Sequence, residues 1–223
     1  SFIRGISSLP LVLLTAWGMG QWHQLRPVRW RLHAVRGALT AFMLWAFVYA
    51  VSILSLADAY CIFLCAPLLI TALSQPMLGE RVDASRWVAI AIGLLGVVLI
   101  LRPSGTGLAT WGGLAALAAT VAYAISAMTI RILARTDTAP ATVFWTLAIM
   151  TVITRVLSIP AWRAVDWQHW PWILAIAITG TLGQQLLTHA FRRANPAVVA
   201  PFEYTALLWG VMLDWALWSV IPQ

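Results

Sequence analysis

The sequence predicts an all-α protein, a polytopic membrane bundle of about eight transmembrane helices. Two observations carry that expectation. Of 223 residues, 61% are hydrophobic and only 9% are charged, whereas a soluble domain runs at about 45–50% apolar and 25% charged. The 21 charged side chains (14 basic and 7 acidic) cannot cover the surface of a soluble protein of this length. In addition, the apolar residues fall in continuous runs close to the ~20 residues that a helix needs to cross a bilayer. Barrel strands would instead alternate over about 10 residues.

The runs are residues 2–22, 34–56, 59–78, 87–101, 111–133, 141–162, 170–191 and 197–220. The fourth is the shortest and should cross with little tilt. Many of the 14 tryptophans sit where runs begin or end, among them Trp22, Trp30, Trp87, Trp111, Trp162, Trp167, Trp170 and Trp172. Indole rings favour the headgroup zone. The linkers are short: Leu56-Ala57-Asp58 and Ala194-Asn195-Pro196 read as tight reversals, and Arg102-Pro103-Ser104-Gly105-Thr106-Gly107 is the one Pro/Gly-rich linker. It divides the chain into residues 1–103 and 107–223, with four spans each.

The net charge of +7 would point a soluble chain towards nucleic acid. In a membrane chain it points to basic loops, and no nucleic-acid partner is expected. Taking alternate loops as one side collects Arg26, Arg29, Arg31, Arg36, Arg81, Arg86, Arg131, Arg135, Arg192 and Arg193, ten of the 14 arginines. The positive-inside rule puts that side in the cytoplasm. The expected location is the cell membrane as a multi-pass protein, the inner membrane in a bacterium. No signal peptide is visible, and the start at Ser1 without Met leaves room for an upstream segment. Cys61 and Cys65 lie one turn apart with no His or carboxylate at ligand spacing, so neither metal nor cofactor is expected. Enzyme motifs are likewise absent.

A shift of 138 positions lays the reversal at Asp58 over that at Pro196. One falls on the Arg-poor side and the other beside Arg192 and Arg193, so the two halves face opposite ways. Inverted repeats with a midplane site are a feature of transporters. Leu56-Ala57-Asp58-Ala59, Ala66-Pro67-Leu68-Leu69, Leu78-Gly79-Glu80-Arg81 and the run Ile92-Gly93-Leu94-Leu95-Gly96-Val97-Val98-Leu99-Ile100 resemble the first repeat of the EamA-type drug/metabolite transporter superfamily. Ala194-Asn195-Pro196-Ala197 with Pro201-Phe202-Glu203-Tyr204-Thr205 resembles its second repeat. The resemblance implies ten spans in two inverted five-helix repeats, of which this chain would hold the second to the ninth. It also implies a small-molecule substrate: an amino acid, a nucleoside-like compound such as S-adenosylmethionine, a vitamin or a drug.

Charges inside a span cost about 2.5–3.5 kcal/mol on insertion scales and are candidates for function. Glu203 is the clearest. Asp214 follows 11 residues later, about three turns on, so the two share a helix face. Both are candidate proton-coupling residues, and Glu203 with Tyr204 is a candidate for a cationic substrate group. Pairing of Glu203 with an arginine as structural glue is the alternative. Gln184 and Gln185 are further candidate substrate contacts, or else interhelical hydrogen bonds. Trp45 with Tyr49, and Tyr123 with Ser126, are candidate cavity lining. The stripe Gly112, Ala116, Thr120, Ala124 reads as close helix packing. The expected function is secondary transport of a small amphipathic metabolite by alternating access. The rival is a non-transporting membrane subunit or scaffold that binds partner helices. Oligomeric state is not legible.

Overall fold

The computed structural model describes residues 2–18, 20, 22–100, 110–159, 168, 170–206, 208–209 and 212. Among these residues the fold is helical, with no strand. The elements are α1 (Phe2–Gly18), a 3-10 turn (Trp22–Leu25), α2 (Trp30–Ile53), α3 (Leu56–Phe63), α4 (Ala66–Leu78), α5 (Ala84–Ile100), α6 (Trp111–Leu133), α7 (Ala139–Ser158), α8 (Trp170–Arg193), α9 (Pro196–Val199) and a 3-10 turn (Ala200–Tyr204). Among the described residues, four stretches are long and apolar enough to cross a membrane: Trp30–Ile53, Asp58–Leu78, Trp111–Leu133 and Ala139–Ser158. Gly5–Gly18 and Ala84–Gly96 are apolar but shorter.

Two expected spans are broken. The third is two helices, α3 and α4, separated by a turn at Leu64–Cys65. Pro67 has no N–H to return to the Phe63 carbonyl, so the α ladder is interrupted there. The eighth begins with the four residues of α9 and tightens into the 3-10 turn that contains Pro201. The first reversal also lies earlier than the sequence suggests. Leu56 and Asp58 already belong to α3, and Ser55 is its N-cap, accepting from Asp58 N–H at 3.1 Å. Asn195 does the same for α9, accepting from Ala197 N–H at 2.8 Å. Thr110 and Thr138 cap α6 and α7. Gly79, at φ 71°, ends α4 in the left-handed conformation that lets its N–H reach the Gln75 carbonyl.

Polar contacts gather one end of the bundle. The Asp137 carboxylate, in the α6–α7 loop, accepts from Val28 N–H at 2.7 Å, Thr136 Oγ1 at 2.7 Å and His33 Nε2 at 3.0 Å. Arg131 Nε lies 3.7 Å from Glu80 Oε1, and its Nη1 donates to the Arg192 carbonyl at 2.7 Å. The start of α2 and the ends of α4, α6 and α8 therefore meet at the Arg-rich end. At the other end, the start of α6 presses on the end of α2. A Cβ placed on Gly112 would lie 2.9 Å from Leu54 Cγ and 3.0 Å from Ile53 Cβ. So α2 and α8, equivalent under the 138-residue shift, run in opposite directions.

Helix α6 is the hub. Its small-residue stripe is buried, and Thr120 Oγ1 donates to the Ala116 carbonyl at 2.7 Å while lying 3.4 Å from that of Ile62. Lipid is as apolar as leucine, so close packing and hydrogen bonds, not hydrophobic burial, hold such helices together. Ala124, Ala127, Met128 and Ile130 of α6 form a core with Ile70, Phe191 and Ala200. Trp30, Trp111 and Trp172 are exposed near helix ends, as headgroup anchors should be.

Burial alone would raise the Asp137 carboxyl, but hydrogen bonds from Thr136, His33 and Val28 N–H outweigh it and hold the group below the usual carboxylate range. A carboxyl depressed on folding contributes stability above its unfolded value and loses it as pH falls through the folded one. Asp137→Asn should therefore cost about 2 kcal/mol at neutral pH, and its gap from wild type should close as thermal melts are taken below pH 4. By the same reading of space, Gly112→Ala should cost about 1–3 kcal/mol. Gly96→Ala, with nothing within 4 Å of the new methyl group, should leave the melt unchanged or slightly raised.

Candidate functional site

The two broken spans cross, and polar side chains converge at the crossing. Glu203 and Tyr204 are consecutive on the 3-10 turn and reach different neighbours. Tyr123 Oη, on α6, donates to Glu203 Oε1 at 2.9 Å. Tyr204 Oη donates to the Leu64 carbonyl at 3.0 Å, in the turn between α3 and α4. The break at Leu64–Cys65 and that at Ala200–Tyr204 occupy equivalent positions under the 138-residue shift, so each discontinuity packs beside the other.

An aromatic wall backs the tyrosine. The Phe63 ring lies 5.3 Å from that of Tyr123, and Phe47 packs edge-on to Phe63 at 5.3 Å and to Tyr60 at 5.4 Å. On the outer side Glu203 faces a groove of about 390 Å³, lined by Gly183, Leu187 and Ala190 of α8 and by Phe202, Thr205 and Trp209. Its carboxylate thus sits between a hydroxyl inside the bundle and an apolar groove outside it.

Arg36 adds a charge that the loop assignment misplaces. Helix α2 begins at Trp30, so Arg36 stands inside the span, 2% exposed. Its Nε and Nη1 are buried without a hydrogen-bond partner, and it acts on Tyr123 at Coulombic range. One turn on, Thr40 Oγ1 lies 3.3 Å from Ser126 Oγ of α6. Arg36 and Thr40 thus face Tyr123 and Ser126 across the α2–α6 contact. The sequence holds a signal for this: His33, Arg36, Gly37 and Thr40 follow helical spacing as a polar and small-residue stripe.

Other candidates lie elsewhere. Trp45 and Tyr49 stack at 6.0 Å on the outward face of α2, 57% and 43% exposed. Trp45 borders a separate groove with Thr154, Leu157 and Ser158. Gln185 donates to Thr15 Oγ1 at 3.3 Å and lines a different cavity from Glu203. Gln184 is half-buried and lines neither. Asp214 lies outside the described residues. Among the described residues, no group of three His, Cys, Asp or Glu side chains could hold a metal ion.

A polar crossing of two interrupted helices inside an apolar bundle is the geometry of a solute site in a transporter. The model of the EamA-like transporter family matches residues 1–102 and 110–222. The chain belongs to that family. A pseudopaline exporter, CntI, of Pseudomonas aeruginosa is 28% identical over 194 residues, covering 85% of this chain and 67% of the relative. An S-adenosylmethionine uptake transporter of Rickettsia bellii is 25% identical over 228 residues, covering 100% of this chain and 74% of the relative. A solved crystal structure superposes with a TM-score of 0.80 at 19% identity, covering 100% of this chain and 79% of that one; it is similar in fold. The chain thus spans 67–79% of the length of these three proteins. It is a membrane protein of a small-molecule transporter family.

A buried guanidinium without acceptors destabilises the fold that holds it. Arg36→Met, similar in length and apolar, should therefore raise the thermal unfolding midpoint in detergent, by up to the equivalent of about 1–4 kcal/mol. A lower midpoint would mean that the protein itself satisfies Arg36.

Proposed function

We propose that this EamA-like protein moves a small zwitterionic metabolite across the membrane by alternating access, bound where the broken helices cross. The hydrogen bond between Tyr123 and Glu203 carries the reading. It places an intramembrane carboxylate against a donor on the hub helix, with an outer groove at its back. Glu203 takes the cationic group of the substrate. Arg36, whose buried Nε and Nη1 have no hydrogen-bond partner, takes its carboxylate. Tyr123 lies between them, and Tyr204 and Ser126 shape the same site. An amino acid, or a nucleoside-like compound bearing an amino-acid group such as S-adenosylmethionine, has that charge pattern; the uptake transporter of Rickettsia bellii supports it. One relative exports and another takes up, so the proposal covers both directions.

The moving parts in this reading are the two halves, residues 1–103 and 107–223, facing opposite ways. The two-part family match and the opposed directions of α2 and α8 support that division. The boundary itself lies outside the described residues. We place the protein in the inner membrane, as its bacterial relatives suggest, with the Arg-rich end in the cytoplasm. Glu203 also carries the coupling proton: substrate and proton compete for one carboxylate, which ties their movements together.

Proteoliposomes test this. Wild type should accumulate labelled S-adenosylmethionine, or an amino acid from a panel, when a pH gradient is imposed. Glu203→Gln should lose gradient-driven accumulation by about tenfold or more while keeping exchange without a gradient. Unchanged accumulation by Glu203→Gln would refute proton coupling there. Failure of wild type with every zwitterion would refute the substrate class.

A further inference from the structure

Helix α8 separates two cavities of opposite character. Gly183, Leu187 and Ala190 border the groove that holds Glu203. On the opposite face, Gln185, His189 and Arg192 follow helical spacing and border a second cavity of about 490 Å³ at the Arg-rich end. Thr15 of α1, Arg193, and Thr138 and Pro140 at the start of α7 complete it. Its polar lining is two guanidinium groups, an imidazole, an amide and two hydroxyls, with no carboxylate.

Arginines at a membrane surface ordinarily extend to the headgroups. Arg192 does not: it is half-buried, and its Nη1 is buried without a hydrogen-bond partner. Its backbone is held by the donation from Arg131 to its carbonyl. Asp137 lies within Coulombic range of Arg192, but it forms no ion pair with Arg192 among the described residues. The Asp137 oxygens already accept from Val28 N–H, His33 and Thr136. The first turn of α7 also borders the cavity, and the start of a 20-residue helix favours negative charge.

We propose that this cavity binds the carboxylate or phosphate group of an anionic molecule, held by Arg192 and Arg193 with His189, Gln185 and the cavity hydroxyls around it. The site stands apart from Glu203, so it does not depend on the transport reading above. Charge-assisted bonds from a guanidinium fork suit both planar carboxylate and phosphate. Two sources offer that chemistry at this depth, a soluble anion and an anionic lipid headgroup.

Citrate and inorganic phosphate are the probes, read by tryptophan-fluorescence melts of the purified protein in non-ionic detergent. Sodium chloride at equal ionic strength is the control. Citrate should stabilise wild type saturably. Arg192→Gln/Arg193→Gln should weaken that half-saturation by about tenfold or more. Arg192→Lys/Arg193→Lys should recover part of it, and Glu203→Gln should keep all of it. Nanodiscs separate the sources. If phosphatidylglycerol cancels the citrate shift in wild type, the occupant is a headgroup; if the shift persists, it is a soluble anion. No shift beyond sodium chloride for wild type, or equal shifts for wild type and the charge-conserving and charge-removing variants, overturns the proposal.

Discussion

A helix interrupted inside a membrane exposes carbonyls that hydrocarbon cannot satisfy. Proline removes the returning N–H at Pro67 and again at Pro201, so each of the two interrupted spans must be covered by protein. Here they cover each other, and the Tyr204 hydroxyl on the Leu64 carbonyl is the visible link. That requirement brings the two halves of the chain together at one crossing. It also sets Glu203, the neighbour of Tyr204, against Tyr123. The candidate site is thus a by-product of satisfying backbone in a medium without water.

The polar side chains of the bundle divide by how completely they are answered. Asp137 accepts three hydrogen bonds and ties the start of α2 to the α6–α7 loop. Thr residues along α6 and α7 return their hydroxyls to carbonyls one turn back, as Thr120, Thr142 and Thr146 do. Those groups stabilise the fold. Arg36 and Arg192 keep buried donors without acceptors, a state that costs free energy. Of the buried polar atoms without a partner among the described residues, those of Arg36 and Arg192 carry positive charge, and an anionic group that reached them would be stabilising.

Much of this architecture was legible in the residues. Continuous apolar runs marked the helices, alternating arginine placement gave their directions, and the stripe from Gly112 to Ala124 marked the close face of α6. Glu203 stands out, with Asp214, because a carboxylate in a long apolar run has few structural excuses. The breaks were less legible, since Leu64 and Cys65 are as apolar as their neighbours and Pro67 alone carried the signal. Arg36 falls inside the apolar run 34–56 yet groups with the loop arginines on charge alone, and only the packing of α2 shows it buried. Periodicity places a side chain on a face but not the face against a neighbour, so Trp45 and Tyr49 share a stripe that points outward.

The tight seat of Gly112 on Ile53 and Leu54 has a mechanical meaning. It joins α6, from the second half of the chain, to α2, from the first, at one end, and Thr40 with Ser126 joins them again further along. Sliding α6 lengthwise along α2 would have to break both contacts together, so the seam resists shear between the two halves more than it resists rocking about its own line.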